Sequence, residues 1–204
     1  MELIQNDRYG IECSVAYETI KKAIHPFIGK FKKGISKEKT LKATNLNIFT
    51  CDTTNLDFLK FFPNLKQFSL CSNKLLNLDA LAQLPALNAV FLFNILTDNI
   101  NFIKKMPQLR YVHFDGIKLK DYTPIQGHPN IETLHLENCE LTEINFLTDM
   151  PKLQWLSVIN NKIKDFSPLK EFKELKYIGA INNGVSQEEI TKWVKELHCS
   201  HIEF

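Results

Sequence analysis

Residues 131–141 read IETLHLENCEL, and residues 153–163 read LQWLSVINNKI. In both stretches apolar residues occupy the first, fourth, sixth and eleventh positions. The alternation around the fourth and sixth positions predicts a short β-strand with one face in the core. The second stretch begins 22 residues after the first. The pair therefore indicates a repeating unit, each copy of which contributes one strand.

The same unit extends in both directions along the chain. An aliphatic residue opens each copy, at Leu65, Leu87, Leu109, Ile131, Leu153 and Leu175, and Ala43 extends the series by one step. Proline recurs with the same period, at Pro63, Pro85, Pro107, Pro129 and Pro151. The sequence therefore predicts seven consecutive repeats over residues 43–184, without insertions.

The pattern of the unit, L-x-x-L-x-L-x-x-N/C-x-L, resembles the leucine-rich repeat. Residues 65–75, LKQFSLCSNKL, carry it in nearly complete form. The constant 22-residue period is similar to that of the internalins and of the regulatory subunits of some protein phosphatases. The resemblance implies an α/β solenoid, with parallel strands on the concave face and short helical or 3₁₀ turns on the convex face.

Caps are expected at both ends, because a solenoid would otherwise expose its apolar interior there. Residues 1–42 lie outside the repeat and predict a basic, helical N-terminal cap. Residues 185–204 predict a C-terminal cap made of a helix and a strand. Ser186, followed by acidic residues, is a favourable start for that helix. The predicted apolar face of the helix consists of Ile190, Trp193, Val194 and Leu197.

The ninth position of the repeat governs the interior of the turn that follows each strand. It is held by Asn73, Asn161 and Asn183, by Cys51 and Cys139, and by Ile95 and Ile117. An Asn amide can satisfy buried backbone N–H and C=O groups, and a Cys thiol can do so more weakly. An Ile side chain cannot. We therefore predict a less regular strand ladder in the two middle repeats that carry Ile.

The third, fifth and seventh positions of each repeat point away from the core, because successive side chains of a strand alternate between faces. These positions are unusually aromatic and apolar, which is typical of an interaction surface. We predict that this surface binds a partner protein. The predicted contact residues are Phe49, Phe91, Phe93, Tyr111, His113, Asp115, His135, Glu137, Trp155, Ile159, Tyr177 and Ile181.

Metal chemistry was weighed on the same surface. His113 and His135 are predicted neighbours, as are Asp115 and Glu137, and these side chains are suitable ligands for a divalent metal. Adjacent flat strands, however, hold their side chains parallel and do not converge them on a point. The HCSH sequence at residues 198–201 crowds its ligands too closely for a closed site. We predict no metal site and no cofactor.

Catalysis is also excluded by the sequence pattern. The chain has no G-x-S-x-G, no phosphate-binding glycine loop and no H-E-x-x-H motif. His113 and Asp115 have no nucleophile on an activating turn beside them. We predict that the protein is not an enzyme, has no catalytic residues and takes no small-molecule substrate.

Composition indicates the compartment. Five cysteines are scattered without C-x-x-C spacing, which favours reduced thiols. No apolar stretch approaches the ~20 residues that span a bilayer, and the first residues lack the pattern of a signal peptide. We predict a cytoplasmic protein without membrane insertion.

A basic segment precedes the repeats. Residues 21–42 contain eight lysines and one acid, Glu38. This segment suggests an adaptor that associates with nucleic acid or an anionic membrane. The absence of interleaved exposed aromatics and an overall charge of only +2 disfavour nucleic acid.

The functional prediction follows from the repeat class. Small proteins of this kind resemble either regulators that dock on an enzyme or bacterial immunity proteins that neutralise a cognate toxin. A composition rich in Lys, Asn, Ile and Phe is typical of an AT-rich genome and favours the bacterial choice. We predict a module that binds and inhibits or regulates a partner protein, with immunity to a toxin as the favoured role. The alternatives are a regulatory subunit of an enzyme such as a protein phosphatase, and the adaptor role of the basic segment.

Overall fold

The computed structural model describes residues 37–48, 56–71 and 77–204. Its strands form one parallel sheet in chain order. The strands are β1 (Asn45–Ile48), β2 (Gln67–Cys71), β3 (Ala89–Phe93), β4 (Tyr111–Asp115), β5 (Thr133–Glu137), β6 (Trp155–Ser157), β7 (Tyr177–Gly179) and β8 (His201–Glu203). From β1 to β7 each residue pairs with the residue 22 positions further on, as Val112 does with Leu134. The predicted α/β solenoid with parallel strands is confirmed.

The convex side carries short 3₁₀ turns, as predicted. They span Asp57–Phe61, Asp79–Gln83, Asn101–Lys105, Thr123–Ile125 and Ser167–Glu171. Each turn closes with a backbone bond of 3₁₀ type, for example from Met106 N–H to the Ile103 carbonyl at 3.0 Å. Pro107 follows directly, and proline cannot extend such a ladder. The turns therefore stop after one or two windings, and the chain returns to the next strand.

Stacked apolar columns form the core between the sheet and the 3₁₀ turns. The fourth-position side chains Phe68, Val90, Val112, Leu134, Leu156 and Ile178 are at most 1% exposed. Each buried side chain of this size contributes about 1.5–3 kcal/mol relative to an exposed one. Because a single repeat cannot cover its own apolar face, this stabilisation arises only when neighbouring repeats stack.

The eighth position of the repeat turns the chain after each strand. Its backbone has a positive φ at Asn94, Gly116, Asn138, Asn160 and Asn182, between 53° and 69°. Glycine and asparagine adopt this left-handed conformation more readily than other residues. The column of Asn and Gly was visible in the sequence, but its meaning emerged only with the structure.

The ninth position behaves as predicted where it is Asn or Cys. Asn161 accepts hydrogen bonds from Cys139 N–H at 3.1 Å and Leu141 N–H at 3.0 Å. Its amide also donates to the carbonyls of Leu136 and Val158. The thiol of Cys139 donates to the Glu137 carbonyl at 3.1 Å. Asn73 and Cys51 lie outside the described residues.

The prediction of a less regular ladder in the Ile repeats is wrong. Strands β3, β4 and β5 pair over five residues each, whereas β6, β7 and β8 pair over three. Beside Ile117 the missing amide is replaced by the Tyr122 hydroxyl, which donates to the Ile117 carbonyl at 2.6 Å and accepts from Leu119 N–H at 3.4 Å. Another side chain therefore satisfies the backbone there.

At the C-terminus a helix and a strand cover the last repeat. Helix α2 (Gln187–Glu196) follows α1 (Lys37–Lys42) as the second described α-helix. Ser186 and Glu189 form a reciprocal capping box at its start. Trp193 is buried and meets Phe166 edge to face at 6.0 Å. Val194, predicted to join this apolar face, is 53% exposed. Most of the predicted N-terminal cap, residues 1–36, lies outside the described residues.

Candidate protein-binding face

The concave face is the surface of the sheet opposite the core, formed by the third-, fifth- and seventh-position side chains. The structure places most of the predicted contact residues there, on strands β3 to β7. These residues are Phe91, Phe93, Tyr111, His113, Asp115, His135, Glu137, Trp155 and Tyr177. Ile159 and Ile181 follow β6 and β7 in the same column and are half-buried. Phe49 lies outside the described residues.

A histidine occupies the centre of the face. The ring of His113 meets Phe93 edge to face at 5.2 Å and lies 4.9 Å from the ring of His135. Its Nε2 atom is buried and has no hydrogen-bond partner. Burial, followed by the neighbouring His135, lowers the pKa of His113. The imidazole is therefore neutral near pH 7, with a buried polar atom that nothing satisfies.

Glu137 connects the two neighbouring strands beside this histidine. Its Oε1 atom accepts a hydrogen bond from Ser157 Oγ at 2.5 Å and lies 3.2 Å from His135 Nδ1. The hydrogen bond with His135 lowers the pKa of Glu137 most, with a further contribution from Ser157. Glu137 is thus a carboxylate that its neighbours hold in one place.

The premise that neighbouring strands do not converge their side chains is wrong at this point. Ligand atoms of His113, His135 and Glu137 lie within 4.8 Å of one another. Asp115, the fourth candidate, instead accepts a hydrogen bond from Asn138 Nδ2 at 2.8 Å. The convergence arises because the two histidines share a column, while Ser157 and His135 hold the Glu137 carboxylate toward them.

A ladder of stacked rings covers the C-terminal part of the face. The rings of Trp155 and Tyr177 stack at 5.3 Å, and those of Tyr177 and His201 at 5.5 Å. The Tyr177 hydroxyl donates to Glu203 Oε2 at 2.8 Å, and His201 Nε2 lies 2.8 Å from Glu203 Oε1. Trp155 is still 47% exposed. These contacts order the aromatic rings while leaving contact area open.

Gly179 makes room for this stack. A Cβ atom at Gly179 would lie 2.9 Å from the Tyr177 hydroxyl oxygen and 3.1 Å from its ring. Any larger residue there would have to displace the ring. The absence of a side chain therefore lets Tyr177 lie across the sheet.

The sequence analysis did not assign His201 and Glu203 to the face. Strand β8 places them on it, because His201 pairs with Tyr177 and Glu203 pairs with Gly179. A signal existed, since HIE at residues 201–203 repeats the HLE of residues 135–137. The HCSH sequence does not gather its ligands, and the Cys199 thiol donates to the His201 carbonyl at 3.3 Å.

The face has a one-sided charge. Across the described strands, its outward columns contain no lysine or arginine. They contain the carboxylates Asp115, Glu137 and Glu203. An acidic surface interspersed with exposed aromatic rings complements a basic protein surface.

Comparisons with known proteins agree with this architecture. The family model for leucine-rich repeats (2 copies) matches residues 129–171. No curated protein sequence gives a significant match.

The similar solved structures are bacterial solenoids. The internalin inlF of Listeria monocytogenes has a TM-score of 0.69 at 17% identity, over 91% of this chain and 54% of its own. The internalin C2 of the same species has a TM-score of 0.67 at 21% identity, over 92% of this chain and 84% of its own. A leucine-rich repeat protein of Leptospira interrogans has a TM-score of 0.59 at 18% identity, over 83% and 51%. The chain spans about half the length of the inlF structure.

These identities establish the fold, and leucine-rich repeat folds are protein-interaction modules. Within the described residues, no helix is long and apolar enough to cross a membrane. The repeat period, the single parallel sheet and the structural matches lead to one conclusion. The chain is a leucine-rich repeat protein whose solenoid has the fold of the internalins.

Proposed function

We propose that this protein binds a partner protein through its concave face and thereby inhibits or regulates it. The observation that carries the proposal is the combination of ordered, exposed aromatic rings with carboxylates on a surface that needs neither for folding. Tyr111 and Trp155 are 42% and 47% exposed, although their positions could hold polar residues without loss of the core. Large exposed rings of this kind are typical of binding hot spots.

The partner surface is expected to be basic. A lysine or arginine from the partner can lie on the Trp155 and Tyr177 stack while it approaches the Glu203 carboxylate, which hydrogen-bonds to Tyr177 at 2.8 Å. Cation–π contacts contribute about 0.5–1 kcal/mol at exposed sites and about 2 kcal/mol when desolvated. Several such contacts along one face give both orientation and affinity.

The finer proposal is that the partner is a bacterial toxin and that this chain is its immunity protein. A nuclease toxin has a basic surface to meet phosphate groups, and an acidic aromatic face can cover such a surface. The cytoplasm is then the site of action. The free thiols of Cys71, Cys139 and Cys199 support a reducing compartment. The proposal assigns no catalytic step to the chain.

Co-expression tests this proposal directly. The gene beside the coding sequence should encode a toxin, and the full chain should restore growth to cells that express it. We expect Trp155→Ala and Tyr177→Ala to lose rescue and to weaken binding of the purified toxin by about tenfold or more each, as hot spots do. Val194→Ala is the control, because Val194 is equally exposed but lies on the cap helix α2.

Contrary results are easily recognised. A neighbouring toxin that the chain neither binds nor neutralises would overturn the immunity role. Binding that survives both aromatic substitutions would overturn the assignment of the concave face. Retention of a metallophosphatase, abolished by Trp155→Ala, would favour the regulatory-subunit alternative. The adaptor alternative rests on the basic segment, most of which lies outside the described residues.

A further inference from the structure

The three converging side chains on the middle strands form a donor set that the protein-binding role does not require. His113 and His135 occupy the same column of β4 and β5, and their ring centroids are 4.9 Å apart. Glu137 lies two residues beyond His135. Ligand atoms of all three lie within 4.8 Å of one another. This is the one such group of three or more metal-ligand side chains among residues 37–48, 56–71 and 77–204.

We propose that His113, His135 and Glu137 bind a divalent transition-metal ion, for which zinc is the best match. Two imidazoles and one carboxylate are a ligand set that zinc uses in sites with an open coordination position. The open position would face the concave surface, where His135 and Glu137 are 33% and 21% exposed. A water molecule or a donor atom from a docked protein can fill it.

The polar atoms of the cluster fit a missing cation. His113 Nε2 is buried without any hydrogen-bond partner. A buried polar atom without a partner is costly, and native structures rarely keep one without a reason. A metal ion at this position would satisfy the lone pair. Burial also keeps this imidazole neutral, as a metal ligand must be.

The surroundings provide the outer shell that a metal site needs. Ser157 Oγ donates to Glu137 Oε1 at 2.5 Å and so orients the carboxylate. Phe91 and Phe93 meet the His113 ring edge to face at 6.2 Å and 5.2 Å and hold its orientation. Hydrogen bonds and packing behind the ligands are a regular feature of metal sites.

The remaining distance is small. Ligands about 2.0–2.2 Å from a tetrahedral zinc ion lie roughly 3.4 Å from one another. From a spread of 4.8 Å or less, each ligand atom needs to move inward by about 1 Å or less. Side-chain rotation supplies such a movement without a change in the strands, because two of the three side chains are partly exposed.

Zinc titration of the full chain tests the proposal. Calorimetry with zinc chloride and a phosphine reductant should give one site per chain, in the micromolar range or tighter. We expect His113→Ala, His135→Ala and Glu137→Gln each to weaken zinc binding by about 100-fold or more. Ser157→Ala should weaken it by about tenfold, the lower end of the range for an outer-shell partner. Circular dichroism checks that each variant is folded, and Glu137→Gln preserves the shape of its side chain.

The chain contains a matched control. His201 and Glu203 repeat the His-x-Glu spacing and the side-chain contact, at 2.8 Å, but the neighbouring strand offers Tyr177 instead of a second histidine. We therefore expect His201→Ala to leave zinc affinity unchanged. Cobalt substitution adds a spectroscopic test, because nitrogen and oxygen ligands give ligand-field bands without thiolate charge transfer.

Three results would overturn the inference. The first is a full chain that binds zinc no better than the millimolar range. The second is affinity that His113→Ala and Glu137→Gln leave intact, since the metal would then lie elsewhere. The third is thiolate charge transfer in the cobalt form. None of these measurements requires the partner protein, so failure here is distinct from failure of the proposed function.

Discussion

The middle strands β3 to β5 and the terminal strands β6 to β8 solve the same structural problem in two ways. In the terminal region Asn161 and Asn183 enter the solenoid and bind the backbone groups of the turn. In the middle region Ile95 and Ile117 are fully apolar, and Tyr122 reaches the Ile117 carbonyl from the convex side. The middle strands are nevertheless the longer ones. The requirement of the fold is a satisfied backbone, and the identity of the satisfying side chain can vary.

The outward surfaces of these two regions also differ. The middle region gathers His113, His135 and Glu137 at one point, whereas the terminal region spreads Trp155, Tyr177 and His201 into a stack. Both use the same in-register ladder. The difference lies in side-chain size: two adjacent imidazoles leave room for a carboxylate between them, and large rings fill the space along the column. One scaffold thus supports a polar cluster and an aromatic ladder side by side.

The largest effect on this comparison is expected from removing the internal amide of the terminal region. Asn161→Ala leaves the N–H groups of Cys139 and Leu141 and the carbonyls of Leu136 and Val158 without this partner. Each unsatisfied buried group costs about 1–3 kcal/mol, and with partial relaxation we expect a total of about 3–4 kcal/mol. Urea unfolding followed by circular dichroism measures the loss.

The matched change in the middle region is Tyr122→Phe, which removes one hydroxyl and two hydrogen bonds. We expect a loss of about 1–2 kcal/mol, smaller than that for Asn161→Ala because fewer backbone groups are affected. Equal losses in the two variants would show that the two solutions are energetically equivalent. A neutral Tyr122→Phe would show that the Ile repeats need no substitute for the amide.

A smaller effect is expected at the turn after β4. Gly116 has a φ of +69°, and a Cβ atom there would lie 2.3 Å from Asn94 Oδ1. We expect Gly116→Ala to cost about 2 kcal/mol, from left-handed backbone strain of roughly 1–2 kcal/mol and displacement of the Asn94 side chain. Thermal unfolding measures the change.

Gly127→Ala is the control for this substitution. Gly127 has a φ of +68°, but no heavy atom lies within 4 Å of a Cβ at that position. Its cost should be the backbone strain alone, about 1 kcal/mol. A larger loss at Gly127 than at Gly116 would contradict the role of the Asn94 contact.

The smallest effect concerns pH and a core histidine shared by both regions. His128 is buried, its Nε2 atom lies 3.1 Å from the Met106 carbonyl, and its Nδ1 accepts from Ile131 N–H. Burial lowers the pKa of His128 from its ordinary value of 6.5. Below pH 6.5 the unfolded chain therefore binds a proton more readily than the folded chain. Stability should fall as pH decreases from about 6.5 to the folded-state pKa of this group.

Unfolding free energies at pH 7.5 and pH 5.5 check this expectation. We expect His128→Gln to reduce the loss between the two pH values, because Gln does not titrate, although it lowers stability at both. An unchanged pH dependence in His128→Gln would assign the effect to other groups.

Much of the fold could be predicted from the sequence because the repeat is a local, periodic signal. The 22-residue spacing determined which residues pair across strands, and Ser186 with its following acids indicated the start of α2. Alternation within each strand placed Trp155, Tyr177 and His113 on the outward face. These features follow from backbone geometry, which is the same in every repeat.

The rest depended on side-chain directions that periodicity does not specify. The Tyr122 hydroxyl reaches Ile117, five residues away, only through the path of the convex turn. The Glu137 carboxylate meets His113 and His135 because Ser157, on the next strand, holds it there. Sequence determined the repeat, the register and the outward residues, since these depend on local pattern. Tertiary structure alone decided which side chains converge, since that depends on rotamers that neighbouring repeats select by packing and hydrogen bonding.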